Sequence, residues 1–469
     1  MKYNPISNST IKKLEEICGK NFVFVDKEKL EPYTHDETPV DQFAHFPEVV
    51  IMPRKTEQVS KIMKLAYENN IPVTPRGAGS GLSGGAIPVH GGIVLSLEKM
   101  NRILEIDSQN MMVTLEPGVV TNEVNEKVKE FGLFFAGYPM SVETCFIGGN
   151  VAENAGGGRA VKYGVTDRYI MGLEVVLPDG AIVTLGGKRV KDVTGYNLKQ
   201  LFIGSEGTLG IVTKIIVKLL PLPIAIVDLL ILYKDLNQAI LSVPKIMTET
   251  KIIPTSIEFM DQLSVQTSCQ YLNEHLPYQQ AGAMLLVEVD GNNRQEVELE
   301  AEAIGELCLN QGALEVYVAD NYTTQERVWA VRRNIAEAFK VISPQQSIED
   351  IVVPISVIAE VVEEIQRIAQ KYSTLIPCYG HAGDGNLHAT IVKNPAQTYQ
   401  EWLDIENKIL VDLYHLVKEK GGTISGEHGI GLKRKEYLNL FCSEEEIKLM
   451  KKIKNAIDTK NIMNPGKIF

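Results

Sequence analysis

PRGAGSGLSGGAIP, residues 75–88, is the stretch of sequence that decides the fold. It lies between two runs with strand character, Ile71–Thr74 and Gly92–Ser96. Its first three glycines let the backbone adopt positive φ angles and turn successive N–H groups toward one point, which is the geometry of an anion-binding nest. A Walker loop would end in Gly-Lys-Ser/Thr, and a Rossmann fingerprint would open a helix rather than a strand. Taken alone, the stretch also fits a flexible surface loop.

Glycine placement marks the other regions of interest. Of the 38 glycines in the 469 residues, 24 lie in five windows, at 77–92, 148–164, 204–210, 380–385 and 421–431. The length predicts more than one domain. A formal net charge of −12 with 44% hydrophobic residues argues against a nucleic-acid-binding face and against intrinsic disorder.

The cysteines and the N-terminus favour a cytoplasmic location. The six cysteines are scattered without a CxxC motif, which indicates reduced thiols and excludes an iron–sulfur or zinc motif of that kind. The first 19 residues lack the apolar core of a secretory signal and predict a helix capped near Ser9 or Thr10. Residues Ile215–Tyr233 are apolar enough to suggest a membrane span, but Pro221 and Pro223 interrupt them. Two buried strands joined by a Pro-Leu-Pro linker are expected there.

The order of periodic segments predicts an α+β fold in four parts. Before the linker, short strands alternate with helices, and Pro178-Asp179-Gly180 predicts a hairpin between Leu173–Leu177 and Ile182–Leu185. After the linker, two strand–helix–strand units predict an antiparallel sheet with helices on one face. A single helix is expected at Gln325–Val341. The predicted boundaries give parts at 1–40, 41–222, 223–440 and 441–469.

Histidines and carboxylates converge in the last two glycine windows. GHAGDGNLH, residues 380–388, carries His381 and His388, and GGTISGEHGIG, residues 421–431, adds Glu427 and His428. Two histidines and one carboxylate leave open positions on a divalent ion, as in catalytic metal sites. Each histidine alone would more often be a satisfied polar core residue. Two glycine turns that both carry such residues favour a site.

The first half of the chain resembles FAD-binding domains of the vanillyl-alcohol-oxidase type. The resemblance rests on the loop at 75–88, IGGNVAENAGGGRAVKYG (Ile147–Gly164), VVLPDG (Val175–Gly180) and FIGSEGTLGIVT (Phe202–Thr213), in this order and spacing. It implies a two-subdomain FAD-binding domain at 41–222 behind an N-terminal helical segment. The first loop contains no histidine to tether the flavin, so the FAD is expected to be noncovalent.

The resemblance also implies the FAD contacts. The pyrophosphate is expected on the loop at 75–88, called the first loop below. The flavin and ribityl chain are expected along residues 139–158, which lead into and include part of Ile147–Gly164, the second fingerprint. Further contacts are expected on Phe202–Thr213, the third fingerprint. The residues are Pro75, Arg76, Gly77, Ala78, Gly79, Ser80, Gly81, Leu82, Pro139, Ser141, Thr144, Gly148, Gly149, Ala155, Gly157, Gly158, Glu206, Gly207, Gly210 and Ile211.

The second half resembles the C-terminal cap of FAD-linked 2-hydroxy-acid dehydrogenases, on GHAGDGNLH, SGEHGIG and the closing NPGKIF (Asn464–Phe469). That family includes D-lactate dehydrogenases, the glycolate oxidase flavin subunit and D-2-hydroxyglutarate dehydrogenase. The resemblance implies a substrate- and metal-binding cap at 223–440 and a C-terminal segment that returns to the FAD domain. It implies one divalent metal (Fe, Zn or Mn) on His381, His388 and Glu427, and a catalytic base at His428. Trp329-Ala330-Val331-Arg332 matches the WxxR element of the family, which assigns the substrate carboxylate to Arg332, with Asn386 and His428 as further substrate contacts. Without the resemblance, Arg332 would be interpreted as an exposed helix charge.

One departure from the family pattern favours a small substrate. D-2-hydroxyglutarate dehydrogenases carry a lysine before the VP-type strand for the second carboxylate, whereas this chain reads QSIEDIVVP at 346–354. We therefore expect oxidation of D-lactate to pyruvate, by metal-assisted proton abstraction and hydride transfer to flavin N5. The resemblance implies electron-transferring flavoprotein subunits as partner, with lactate oxidation coupled to NAD and ferredoxin (electron bifurcation).

Three alternatives stay open. The first is a glycolate or D-2-hydroxyglutarate dehydrogenase that passes electrons to a quinone or another acceptor. The second is a flavin-free metallohydrolase, which leaves the first three glycine windows unexplained. The third is a noncatalytic FAD-domain subunit, which has no use for the histidine turns.

Overall fold

The structure, a computed structural model, describes residues 3–469. Contacts divide these residues into two compact units. The first contains residues 3–156, 165–221 and 427–469, and the second contains residues 157–164 and 222–426. Each unit is therefore assembled from more than one stretch of chain, and the four sequence-based parts stay a prediction.

Strands and helices alternate along the chain. The strands are β1 Val23–Phe24, β2 Val49–Ile51, β3 Val73–Arg76, β4 Ile93–Ser96, β5 Ile103–Asp107, β6 Met112–Leu115, β7 Leu133–Phe134, β8 Ile170–Val176, β9 Ile182–Gly186, β10 Ile211–Lys218, β11 Leu220–Pro221, β12 Ala225–Tyr233, β13 Ser256–Asp261, β14 Ala283–Gly291, β15 Ala313–Ala319, β16 Gln346–Val352, β17 Cys378–His381 and β18 Asn386–Val392. The helices are α1 Asn8–Cys18, α2 Lys27–Leu30, α3 Val40–Phe43, α4 Thr56–Asn69, α5 Thr121–Lys129, α6 Ile147–Glu153, α7 Ala160–Tyr163, α8 Lys199–Phe202, α9 Leu236–Thr250, α10 Gln262–Leu272, α11 Arg294–Asn310, α12 Tyr322–Arg333, α13 Ile335–Phe339, α14 Ile358–Lys371, α15 Tyr399–Glu419, α16 Leu438–Phe441 and α17 Glu444–Ile457.

The first unit contains two main sheets. In the order β1-β2-β4-β3, the strand pairs β2–β4 and β4–β3 are parallel. The glycine loop therefore leaves the carboxyl end of a parallel strand, β3, which is where ligands bind in open parallel sheets. The other sheet is antiparallel, in the order β5-β6-β10-β8-β9, and β7 pairs with β11. Strands β8 and β9 form the hairpin that the sequence predicts.

The end of the chain completes the first unit. Met463 forms a parallel bridge with Val73 of β3. Lys454 of α17 is buried and donates to the carbonyls of Thr208 and Met463 as well as to Asp458. Because a buried ammonium must have its donors satisfied, these contacts fix the last residues of the chain against the elements around β3.

The second unit is built on one antiparallel sheet of seven strands, in the order β15-β12-β14-β13-β17-β18-β16. The sequence predicted the four strands from β12 to β15, and β16 to β18 extend their sheet through the pairing of β17 with β13. Leu230 and Leu232 of β12 cluster with side chains of α10, α12 and α13. On the other face, a methyl group on Gly305 of α11 would touch Val316 of β15.

Helices therefore cover both faces of this sheet, and the prediction of helices on one face is wrong. The reason is that β12 and β14 are buried along almost their whole length, and a strand buried on both sides needs cover on both sides.

Two further local predictions have different outcomes. The single helix expected at Gln325–Val341 is wrong, because the chain leaves the helical conformation at Asn334, between α12 and α13. The Asn334 side chain donates to the carbonyl of Ala330, a local bond with which asparagine competes against helix propagation. The two strands expected in the apolar run at Ile215–Tyr233 are present as β10 and β12, and the short strand β11 lies between them. Among residues 3–469, no helix is long and apolar enough to cross a membrane.

Candidate active site

The first glycine loop folds over its own arginine. Arg76 is buried and donates from Nη1 to the His35 carbonyl (2.6 Å) and from Nη2 to the Pro32 carbonyl (3.1 Å). Gly79 has a φ of 78°, and a methyl group there would lie 2.1 Å from the Arg76 guanidinium. Glycine is required at this position for both reasons. Because the Arg76 side chain supports the loop from within, only the backbone of the loop is suited to bind a phosphate.

The other fingerprints of the first unit converge on this loop. A methyl group on Gly77 would lie 3.7 Å from the amide nitrogen of Gly149, in the first turn of α6. One on Gly207 would lie 2.6 Å from Pro75 Cγ. On Gly149 itself it would meet nothing within 4 Å, so the backbone there faces open space. Bare backbone from three segments lines one region, which is the kind of surface that a dinucleotide needs, and FAD fits it.

The remaining predicted FAD residues have several environments. Pro139, Ser141 and Thr144 lie in the segment that leads into α6, where the amides of Thr144 and Cys145 bond to the Ser141 carbonyl. The Ala155 amide bonds to the Asn150 carbonyl of α6. Ile211 belongs to the apolar core of the first unit. Ala78, Ser80, Gly81 and Leu82 lie on the first loop, Gly148 is the second residue of α6, and Gly210 precedes β10. Gly157 and Gly158 belong to the second unit.

Glu258 lies at the centre of the site in the second unit. Its Oε1 is 2.7 Å from His381 Nδ1, and its Oε2 accepts from Arg332 Nε at 2.8 Å and is 2.7 Å from Nη2. Burial alone would raise the pKa of Glu258, but the charges and hydrogen bonds of His381 and Arg332 lower it to about 2. Arg332 is only 4% exposed, which excludes its interpretation as an exposed helix charge.

Strands β16, β17 and β18 bring further predicted residues to this site. The rings of His381 and His388 lie edge to face with centroids 5.3 Å apart. Asn386 donates to Asp350 Oδ1 (2.7 Å), and Asp350 faces His388 in the register of β16 and β18. The Arg332 guanidinium lies 5.2 Å from the Tyr379 ring centroid, a cation–π distance. The second unit thus brings together Arg332, His381, His388 and Asn386.

The remaining two site residues lie on a turn in the first unit. Glu427 Oε1 is 3.8 Å from His428 Nε2. The next part of the turn is fixed by Glu206, whose carboxylate accepts the amides of Ile430 (2.8 Å) and Gly431 (2.6 Å). The Glu206 side chain, predicted to contact FAD, is therefore bound to protein backbone.

A second buried carboxylate lies beside the same turn. A methyl group on Gly429 would lie 2.2 Å from Glu153 Oε2 and 3.1 Å from Glu206 Oε1, so glycine is required there. Burial and the charge of Glu206 raise the pKa of Glu153 well above its usual value. Glu153 is therefore the partner that carries the proton when the two carboxylates lie so close together.

Sequence reasoning missed three residues of these constellations, Glu258, Asp350 and Glu153. Glu258 and Asp350 lie within strands, without a glycine turn beside them, and Glu153 is the last residue of α6, before the glycines at 156–158. The available signal was position: Glu258 alternates with Ser256 and Met260 on one face of an otherwise apolar strand, and a carboxylate at such a place requires partners.

The chain matches two families that divide it between them. Residues 47–186 match the family described as "FAD binding domain". Residues 222–468, more than half of the chain, match the family described as "FAD linked oxidases, C-terminal domain". The protein therefore belongs to the FAD-linked oxidases. It is an FAD-dependent oxidoreductase.

Relatives of known name match over nearly the whole length. The chain is 42% identical to the glycolate oxidase subunit GlcD of Bacillus subtilis (strain 168), over 93% of this chain and 92% of the relative. It is 38% identical to the D-lactate dehydrogenase of Anaerostipes hadrus, over 100% and 98%. It is 30% identical to the D-2-hydroxyglutarate dehydrogenase of Stutzerimonas stutzeri (strain A1501), over 98% of each.

Solved structures agree on the fold. p-Cresol methylhydroxylase superposes with a TM-score of 0.81 at 20% identity, over 98% of this chain and 96% of that one. The 4-ethylphenol oxidase of Gulosibacter chungangensis superposes with a TM-score of 0.78 at 20% identity, over 100% and 98%. At this identity the likeness concerns the fold alone. The predicted α+β fold with a vanillyl-alcohol-oxidase-type FAD domain is confirmed.

Proposed function

We propose that the protein oxidises D-lactate to pyruvate, with noncovalently bound FAD as the electron acceptor. The observation that carries this proposal is the buried assembly around Glu258, in which Arg332 offers a fixed cation for a carboxylate beside His381. Relatives named D-lactate dehydrogenase, glycolate oxidase subunit and D-2-hydroxyglutarate dehydrogenase support the class of 2-hydroxy acids.

The preference for a monocarboxylate rests on β16. This strand contains no basic residue, and Glu349 and Asp350 on it are fully buried acids. A second carboxylate on the substrate would find no cation on this strand and would be repelled by Asp350. Lactate or glycolate fits this chemistry better than a hydroxy-dicarboxylic acid.

His381 and His388 have the chemistry to hold a divalent ion, Fe, Zn or Mn, and the sequence-based prediction adds Glu427 as a third ligand. Glu258 accepts the hydrogen bond of His381 Nδ1, and a carboxylate in this place orients a histidine that binds a metal through its other ring nitrogen. When bound, such an ion would act as a Lewis acid toward the substrate hydroxyl.

The chain's own side chains then have separate tasks. Arg332 fixes the substrate carboxylate, Asn386 contributes a second contact, and neutral His428 accepts the hydroxyl proton. When bound, FAD would supply the two-electron acceptor for the α-hydrogen and its electron pair.

His428→Ala tests the proposed base. The variant is expected to retain yellow FAD and to lose turnover by ~10²-fold or more, the usual contribution of a general base. His275→Ala, at an exposed position, is the matched control. Near-normal turnover of His428→Ala, measured with saturating substrate and an artificial electron acceptor, would contradict the assignment.

We also propose that an electron-transferring flavoprotein reoxidises the FAD, coupled to NAD and ferredoxin. The six cysteines of the chain are spread over both halves of the sequence and form no iron–sulfur cluster motif, and the proposal therefore assigns the next electron transfer to a second protein. Purified chain and electron-transferring flavoprotein, mixed anaerobically with lactate, are expected to show lactate-dependent reduction of the second flavin. Direct reduction of a quinone by the isolated chain, without that partner, would contradict the proposal.

Anaerobic bleaching of the flavin absorbance tests cofactor, reaction and substrate together. We expect D-lactate to bleach the purified holoenzyme faster than L-lactate, glycolate or D-2-hydroxyglutarate. Faster bleaching by glycolate or D-2-hydroxyglutarate would show that this acid, and not D-lactate, is the preferred substrate. No bleaching by any of the four would reject the proposed function, and a colourless purified protein would favour metal-dependent hydrolysis.

A further inference from the structure

Glu258 is a buried carboxylate with both oxygens bound to groups of the proposed site. It is fully buried on β13, with Oε1 at 2.7 Å from His381 Nδ1 and Oε2 at 2.7 Å from Arg332 Nη2. A buried ion pair contributes little to stability on balance, because desolvation offsets the attraction. A bridge between two proposed site residues therefore calls for a reason other than folding.

The backbone of the second fingerprint covers this bridge. A methyl group on Gly158 would lie 2.4 Å from Glu258 Oε1 and 3.5 Å from His381 Nδ1. The residues after Gly158 are held down on β14, where Arg159 pairs with Glu288 (3.2 Å) and Lys162 with Asp290 (2.6 Å). The carboxylate of Glu258 consequently has no room to rotate away from its two partners.

The bridge fixes the orientation of Arg332. An arginine presents five N–H donors in a rigid plane. The Nε–H group donates to Glu258 Oε2, Nη2 lies 2.7 Å from the same oxygen, and the guanidinium lies over the Tyr379 ring. With one edge held by the carboxylate and the plane held by the ring, the opposite edge has one direction in which it can meet a substrate carboxylate.

The bridge also fixes the tautomer of His381. An ionised carboxylate can only accept hydrogen bonds, so the proton of the bond to Glu258 must be on His381 Nδ1. In the neutral ring, the lone pair is then on Nε2, the form in which imidazole binds a metal.

We propose that Glu258 is a positioning residue that sets both the direction of the Arg332 guanidinium and the tautomer of His381. This inference rests on the proposed roles of these two residues in hydroxy-acid binding and metal binding. It joins the two halves of substrate recognition, carboxylate and hydroxyl, in one side chain that touches neither.

Glu258→Gln is the direct test. Its amide oxygen can still accept from Arg332, but its NH2 group faces Nδ1 and demands a lone pair there, which moves the His381 proton to Nε2. We expect at least a 10-fold loss of Zn²⁺ affinity, measured by competition with a chromophoric chelator, because loss of the hydrogen-bond partner of a metal-binding histidine weakens metal binding by about 10–100-fold. We also expect a ~10-fold weaker binding of pyruvate to the oxidised holoenzyme, measured by perturbation of the flavin spectrum.

Two further variants separate positioning from folding. Glu406→Gln removes a buried carboxylate on α15, in the same unit, and it is expected to leave Zn²⁺ affinity and pyruvate binding within about 2-fold of the parent protein. Gly158→Ala keeps every charge but displaces the Glu258 carboxylate, and it is expected to reproduce the loss of Zn²⁺ affinity, which is measured independently of the FAD content. Glu258→Asp has a side chain that is one methylene too short to reach both partners. It is therefore not expected to retain both Zn²⁺ affinity and pyruvate binding.

The outcomes are separable from those of the proposed function. Unchanged Zn²⁺ affinity and pyruvate binding in Glu258→Gln and Gly158→Ala would overturn the positioning role, whatever the substrate. Equal losses in Glu406→Gln would also overturn it, since a general effect of buried charge would then suffice. If no 2-hydroxy acid reduces the parent protein, the proposed function fails, and Zn²⁺ affinity still decides the role of Glu258 toward His381.

Discussion

Asp228 is a single residue that the fold holds at a cost in stability. Burial and the charge of Glu288 raise its pKa to about 8, whereas an unfolded aspartate has a pKa of about 3.9. Because the folded pKa is the higher one, protonation favours the folded state. The associated stability is complete below pH ~4 and is lost as the pH rises toward ~8.

Asp228→Asn is therefore expected to stabilise the protein at pH 8 by about 1–3 kcal/mol, within the limit set by linkage. At pH 4 the difference should be close to zero. The amide oxygen of the variant can still accept from Trp329 Nε1, as the carboxylate does now at 3.1 Å. Thermal unfolding at both pH values provides the measurement, and an equal gain at pH 4 and pH 8 would show that the shifted pKa is not its cause.

Gly149 offers a test of FAD placement with one methyl group. A methyl group there would meet nothing within 4 Å, and alanine is a better helix former than glycine. The apoprotein of Gly149→Ala should be at least as stable as the parent. If FAD lies against this backbone, the same methyl group should lower FAD affinity by ~10-fold or more, measured by fluorescence titration of the apoprotein.

Gly79→Ala is the matched contrast for this prediction. Its methyl group would collide with Arg76, and its φ of 78° disfavours alanine. It is expected to destabilise the apoprotein itself by ~1 kcal/mol or more. Unchanged FAD affinity in Gly149→Ala would show that the cofactor does not lie against the first turn of α6.

The turn that carries Glu427 and His428 is fixed by hydrogen bonds to a side chain that is distant in the sequence. The Glu206 carboxylate accepts two successive amides of this turn, at Ile430 and Gly431. Glu206→Gln has one acceptor in place of two, so the turn should loosen while α6 and the first loop stay intact. We expect turnover to fall ~10-fold with FAD content retained.

Turnover and flavin absorbance of the purified variant provide the measurement for Glu206→Gln. Glu105→Gln, on the exposed edge strand β5, is the control and should match the parent. Loss of FAD at full turnover per bound flavin would instead support the predicted cofactor contact of Glu206.

Local patterns predicted the elements well, and long-range pairing decided what they missed. The hairpin of β8 and β9 was predicted because its turn signal lies in three adjacent residues. The pairing of Phe259 with Gly380 joins strands more than a hundred residues apart, and no local pattern encodes such a register.

The same reason explains the partial prediction of the site. The histidines lie on glycine turns that are visible in the sequence, but Glu258 becomes recognisable as a site residue only when β13 brings it beside His381 and Arg332. Asn334 shows that a local interaction can also be missed. Its side-chain hydrogen bond lies where α12 ends, although the apolar periodicity of the sequence predicts a helix that continues.

The first unit as a whole depends on three distant stretches of chain, and removal of FAD should reveal this dependence. Asn464 donates to the carbonyls of Gly85, in the first loop, and Glu206, in the third fingerprint. Lys467 donates to the carbonyl of Ile87. A ligand that binds only the folded form protects the elements it joins against local opening.

Hydrogen exchange of holoprotein and deflavinated protein provides the measurement. Deflavination is expected to speed exchange by ~10-fold or more at 77–92, 147–153, 204–211 and 461–469 together, because these stretches form one hydrogen-bonded network. Strands β12, β14 and β15 should exchange equally in both forms, since they belong to the other unit. Faster exchange confined to 77–92, with the C-terminal residues unchanged, would show that the end of the chain is not coupled to the cofactor and would contradict this organisation of the first unit.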